Sequence, residues 1–201
     1  MAKRGKALFK AVCPGKCKSR DLPARLNLSS LAPEMNRLWE ASIRDIKLGV
    51  VREHAALLVW ERNNLRLTNV VEGADDEVEP DYQLSEGQQF VGTFHTHPYV
   101  KDLQGMAFSG TDIASAITDK ENLSIVHSGS QVFCLARTEF TPRVVDETAI
   151  VKQERKLLRF YQNAFSVSQA LFKINLFLCK QFKLGFYTGN TTGKLALEFR
   201  P

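Results

Sequence analysis

Gln89-Phe90-Val91-Gly92-Thr93-Phe94-His95-Thr96-His97-Pro98 reads as a strand ending on two histidines, and Ser109-Gly110-Thr111-Asp112-Ile113 reads as the start of a helix. Phe90, Val91 and Phe94 are strand formers, and Pro98 stops the run. Ser109 with Asp112 three residues later is a capping-box pattern, and the apolar Ile113, Ala114, Ala116 and Ile117 follow it. A strand feeding a helix, with further strands on either side, predicts an α/β fold.

Upstream, Ser29 and Ser30 begin a helix expected to run to about Lys47, with Pro33 in its first turn and Gly49 as its terminator. Residues 50–61 and 65–71 read as neighbouring strands around an Asn63-Asn64 turn. The segment from Ala55 to Trp60 is apolar on both faces, which predicts a strand covered on both sides. Residues 72–81 form an acidic loop. Downstream, the Ser109 helix is expected to reach about Lys120. Strands at 124–126 and 131–136 then flank the turn Ser128-Gly129-Ser130. Helices over roughly 147–164 and 167–182 and a hairpin of 184–188 with 194–199 complete the chain.

The whole predicts an α/β sandwich with a central mixed β-sheet flanked by helices, plus a C-terminal helical extension and hairpin. Residues 1–26 are expected to be a basic flexible arm broken by Pro14, Gly15 and Pro23. Residues 27–146 would be the core, and 147–201 would pack on it. The apolar residues of 147–182 have a partner or dimer surface as their alternative use.

The 201 residues carry a net charge of +5, which at first suggests nucleic acid. Eight of the Lys and Arg residues and one acid fall within residues 1–25, however. That segment therefore carries +7 and the remainder −2. No aromatic stacking platform or recognition helix accompanies the basic arm, which argues against a nucleic-acid partner. The most apolar stretch, 165–182, is interrupted by Lys173 and Lys180, so no membrane span is expected. Ala7-Leu8-Phe9 is too short for a signal-peptide core. A cytoplasmic protein with four reduced thiols is the expectation. A second metal site built on Cys13 and Cys17 would need the distant Cys134 and Cys179.

Side chains alternate along a strand, so His95 and His97 project to the same side and can hold one metal ion. Asp112 adds a carboxylate. Two imidazoles and one carboxylate leave the fourth tetrahedral position of zinc open for water, the pattern of a catalytic site. Zinc lowers the pKa of such a water to roughly 7. The His-Glu-x-x-His pattern is absent, so the general base must come from elsewhere. Glu53, at the mouth of the doubly covered strand, is the candidate; an exposed strand-end Glu is the bland alternative.

Three pieces of the chain resemble the JAMM (MPN+, JAB-type) metalloprotease family. Arg52-Glu53-His54-Ala55-Ala56-Leu57-Leu58-Val59 resembles its Glu-bearing strand, Phe94-His95-Thr96-His97-Pro98 its metal strand, and Phe108-Ser109-Gly110-Thr111-Asp112 its third motif. The resemblance covers about residues 30–140. It implies an MPN fold, a cytidine-deaminase-like sandwich, with one zinc ion on His95, His97 and Asp112. It implies that Glu53 takes a proton from the zinc-bound water nucleophile and later delivers it to the leaving amine. It also implies that Ser109 donates to the oxyanion. His54 faces away and is expected to be structural. The stretch 98–108 is longer than the family's usual spacing, so it is expected to reshape the substrate groove.

The implied activity is that of a deubiquitinase-like isopeptidase, a hydrolase cutting amide bonds at the C-terminus of a ubiquitin-like modifier. The implied partners are a ubiquitin-like protein or its conjugates, together with conjugation-machinery proteins. The acidic loop offers counter-charge to a basic tail, or is simply a solvated loop. Two other readings stand beside this one: a metal-free MPN scaffold, and a JAMM-type hydrolase acting on another peptide or small amide.

Overall fold

The computed structural model describes residues 17–74, 77–98 and 105–201. Eight strands form one mixed sheet: β1 (Arg25–Asn27), β2 (His54–Glu61), β3 (Asn64–Glu72), β4 (Gln89–Thr96), β5 (Leu123–Ser128), β6 (Gln131–Ala136), β7 (Gly185–Asn190) and β8 (Lys194–Phe199). Their spatial order is β1-β8-β7-β6-β5-β4-β2-β3. Among them only β4 and β5 pair in parallel. A parallel pair needs a crossover, supplied here by α2 (Gly110–Thr118). The other described α-helices are α1 (Ala32–Ser42), α3 (Glu147–Tyr161) and α4 (Val167–Phe182).

Strand alternation sorts the sheet into two apolar faces. Ala56, Phe94, Ile125 and Cys134 join Met35 and Leu38 of α1 in one cluster. Val126, Phe133 and Phe186 join Ile113 of α2, Ile150 of α3 and Ile174 of α4 in the other. Phe94 faces α1, so the period of two turns Thr93 and His95 toward α2. β2 is buried from His54 to Val59, as its unbroken apolar run predicts.

Several boundaries differ from the sequence reading. The first helix stops at Ser42, whose hydroxyl lies 3.0 Å from the Leu38 carbonyl and 2.8 Å from both His54 Nδ1 and Thr96 Oγ1. A separate 3-10 turn (Ile46–Leu48) then reaches Gly49, whose φ is +76°. The β2–β3 turn falls on Arg62 and Asn63, both at positive φ, one residue earlier than expected. Two left-handed residues give a two-residue hairpin turn its twist.

The domain boundaries also shift. Residues 1–16, with Cys13, lie outside the described residues. Residues 17–26 are not an arm. Leu22 and Leu26 are buried, and β1 pairs with β8. Arg200 Nη1 donates to the Ser19 and Arg20 carbonyls, and the Tyr187 hydroxyl donates to the Pro23 carbonyl. Burying two leucines and satisfying these carbonyls outweighs the breaking effect of Pro23. The segment from 147 onward is continuous with the core, because β7 pairs with β6 in the same sheet. Cys17, Cys134 and Cys179 are all buried. Burial pushes the Cys134 and Cys179 thiols up, and the two lie in opposite apolar clusters, which excludes a shared metal site. Among the described residues, no helix is long and apolar enough to cross a membrane.

His127 is fully buried on the α1 face, its ring edge-on to Trp39 with centroids 5.1 Å apart. Desolvation lowers its pKa to about 4, only partly offset by the Met35 backbone. The folded state therefore stays neutral where the unfolded state, near 6.5, takes up a proton. The cost is absent above about pH 6.5 and grows as pH falls toward 4, reaching about 3 kcal/mol. Denaturant titrations at pH 7 and pH 4 should show His127→Leu losing about that much less stability on acidification than the wild type. Equal losses in the two proteins would show that His127 is not the group responsible.

Candidate metal centre

β4 and α2 bring the three predicted ligands together. His95 and His97 leave the end of β4 on the α2 side, and Asp112 sits in the first turn of α2. The two Nε2 atoms are 3.1 Å apart. Asp112 Oδ1 stands 3.2 Å from His95 Nε2, and Oδ2 stands 3.4 Å from His97 Nε2. Donors about 2.0–2.1 Å from a tetrahedral zinc are separated from one another by about 3.3–3.4 Å. One donor atom from each of His95, His97 and Asp112 lies within 4.8 Å of the others, close enough for a single ion to reach all three. Among the described residues this triad is the one His/Cys/Asp/Glu group that could hold a metal ion.

The charges are mutually stabilising. Burial works to raise the Asp112 carboxyl, but His95 and His97 outweigh it and hold the group well below the usual carboxylate range. Burial works to lower His95, but the charge and hydrogen bond of Asp112 outweigh it and the pKa rises.

The helix start is also the cap anticipated from sequence. Ser109 Oγ accepts from the Asp112 N–H at 3.1 Å, and Asp112 Oδ2 accepts from the Ser109 N–H at 2.7 Å. The reciprocal pair fixes the Asp112 carboxylate and leaves Oδ1 toward His95. The Ser109 hydroxyl hydrogen is not used in this cap.

Glu53 lies just before β2 and is buried. Its N–H donates to the Ala74 carbonyl, and its own carbonyl accepts from the Gly73 N–H. Ala55 is the cross-strand partner of His95, so continuing that antiparallel register sets Glu53 opposite His97, on the metal face. His54 points the other way. Its Nδ1 meets Ser42, and its backbone N–H donates to Thr96 Oγ1, the structural part expected of it.

One cavity of about 870 Å³ joins these groups; Glu53, His95, His97, Ser109 and Asp112 all line it. Of the acidic loop, Glu77 also lines it, Glu72 pairs with Arg52 at 3.3 Å, and Asp75 and Asp76 lie outside the described residues.

Several supporting residues escaped the sequence reading. Ser128 Oγ donates to the His97 carbonyl and accepts from the Gly105 and Met106 N–H groups, all at 3.1 Å. It thereby pins both ends of the 98–108 stretch, of which 99–104 lie outside the described residues. Asn175 of α4, fully buried, donates from Nδ2 to the Phe108 carbonyl at 2.7 Å. Glu154 of α3 faces the Gly110 N–H. A Cβ at Gly110 would lie 3.2 Å from Val151 Cα and 2.9 Å from Glu154 Oε2, so a larger residue there would make α3 and the Glu154 carboxylate shift. The fourth missed residue, Glu121, also lines the cavity and is 4% exposed. No sequence spacing marks these four, because each acts across elements distant in the chain.

No protein-family model matches the chain, and no curated protein matches it.

Proposed function

We propose that this chain is a zinc-dependent metalloprotease of the JAMM (MPN+) type, with the MPN fold, acting as an isopeptidase on the C-terminus of a ubiquitin-like modifier. The observation that carries the reading is the convergence of His95, His97 and Asp112, with one donor atom from each within 4.8 Å of the others, beside the buried Glu53 and the cap residue Ser109 in one cavity. His95, His97 and Asp112 hold the ion. Zinc bound there supplies Lewis acidity, polarising a carbonyl and acidifying water. Glu53 accepts a proton at its carboxylate and returns it to the departing nitrogen. The Ser109 hydroxyl donates to the carbonyl oxygen as negative charge develops on it.

The test is incubation of zinc-loaded protein with isopeptide-linked conjugates of ubiquitin-like proteins, with released modifier read by mass spectrometry. Release that a chelator abolishes and zinc restores supports the reading. Hydrolysis of simple peptide amides but of no conjugate would move the substrate to another amide. Zinc binding without any hydrolysis would favour the scaffold.

Ser109→Ala separates two parts played by one side chain. Losing the cap should lower stability by about 1 kcal/mol. Losing an oxyanion donor should lower kcat by roughly 10²- to 10³-fold. A destabilised variant with wild-type kcat would leave Ser109 as a cap alone.

A further inference from the structure

The cavity extends past the metal ligands along β4. Thr93 precedes His95 by two residues on the same face, about 7 Å further along the strand. Its hydroxyl lies 2.9 Å from both oxygens of Glu121. Glu121 is more than nine-tenths buried and lines the cavity, yet no Lys or Arg among the described residues forms an ion pair with it. Desolvation raises its carboxyl to about 7, although Thr93 and Ser124 hydrogen bonds and the charge of His95 work against the rise. A buried carboxylate held by hydroxyls, with no Lys or Arg beside it among the described residues, is an expensive arrangement, and an incoming cation relieves it.

The surroundings repeat the same sign. Glu79 and Asp119 also line this end, and the Tyr82 hydroxyl stands 3.5 Å from Asp119 Oδ2. The charges of Glu121, Asp119 and Glu79 all act on Tyr82, and all four residues line the same cavity. Tyr82 is itself held edge-on to Phe90. The segment bearing it is fastened by Asn69, whose Nδ2 donates to the Asp81 and Gln83 carbonyls. Among the described residues, no Lys or Arg lines the cavity. A long cationic side chain fits this end chemically, its head at Glu121 and its stem against the Tyr82 ring.

We propose that the Thr93–Glu121–Asp119–Tyr82 end of the cavity is a specificity subsite that takes one arginine or lysine side chain of the substrate polypeptide, with Glu121 as its buried anchor. This subsite rests on the metalloprotease reading for its place beside the scissile bond. Its occupancy by a cation can be measured without turnover.

The probe is a set of acetylated tetrapeptide amides identical except for one side chain: arginine, lysine, citrulline or glutamate. Calorimetric binding to the zinc-loaded protein should rank the two cationic peptides at least about tenfold above the citrulline peptide, with the glutamate peptide weakest. Glu121→Gln, which keeps the shape and removes the buried charge, should abolish that preference while zinc content stays at the wild-type level. The exposed Asp119→Asn should reduce it about two- to threefold and serves as a second variant should Glu121→Gln fold poorly. Equal binding of arginine and citrulline peptides, no binding of any peptide at millimolar concentration, or a preference unchanged in both variants would each overturn the subsite. Cationic preference in a protein that cuts no conjugate would keep the subsite and reject the isopeptidase, so the two failures are distinguishable.

Discussion

Zinc is expected at about one ion per chain in the wild type and close to none in Asp112→Ala, read by elemental mass spectrometry after expression with added zinc. The proposed site has three protein donors, and removing one would leave two imidazoles, which bind weakly and without the charge that offsets the ion. Asp112 also completes the reciprocal cap with Ser109, so the substitution loosens the first turn of α2 as well. A thermal readout separates the two effects. Zinc at about 100 times its Kd should stabilise the wild type by about 2.7 kcal/mol and leave Asp112→Ala unmoved. Equal zinc in both proteins would remove the triad from consideration.

Glu53→Gln should keep the zinc and lose turnover by roughly 10²- to 10⁴-fold, the range of general acid–base assistance. Gln preserves the size of the side chain, and the backbone bonds of Glu53 to Gly73 and Ala74 do not involve it. The substitution therefore removes the basic oxygen while leaving the site's frame. Stopped hydrolysis with unaltered metal content and melting temperature is the expected pattern. Retained turnover would remove Glu53 from the chemistry, and joint loss of zinc and turnover would make it a support of the site rather than a base.

What the sequence made legible is what local pattern can encode. β4 falls on the predicted residues because its apolar positions and Pro98 bound it. α2 begins where the Ser109–Asp112 spacing says it should, and the side-chain period of two sends His95 and His97 to one face. Buried β2 was visible as an apolar run. The residues missed share a different character. β1 is three residues long and finds its partner in β8, at the far end of the sequence. Glu121 looks like any acid after a helix until Thr93 from a neighbouring strand reaches it. Asn175 looks like an ordinary polar residue of a helix until the Phe108 carbonyl is placed beside it. Single residues meeting across the tertiary fold leave no periodic trace.

The position of β1 bears on how the chain acquires its shape during synthesis. Glu53, just before β2, and the three candidate donors all precede α3, so they emerge from the ribosome before the helices that brace them. The braces at Glu154 and Asn175 emerge later, and β1 cannot pair until β8 has been made. At roughly 5–20 residues per second, the N-terminal strand waits several seconds or more with Leu22 and Leu26 uncovered. A nascent chain halted before α3 would carry the ligands of the metal centre without the helices that hold Phe108 and Gly110 in place. The frame around the candidate site is then complete only once α3 and α4 have been made.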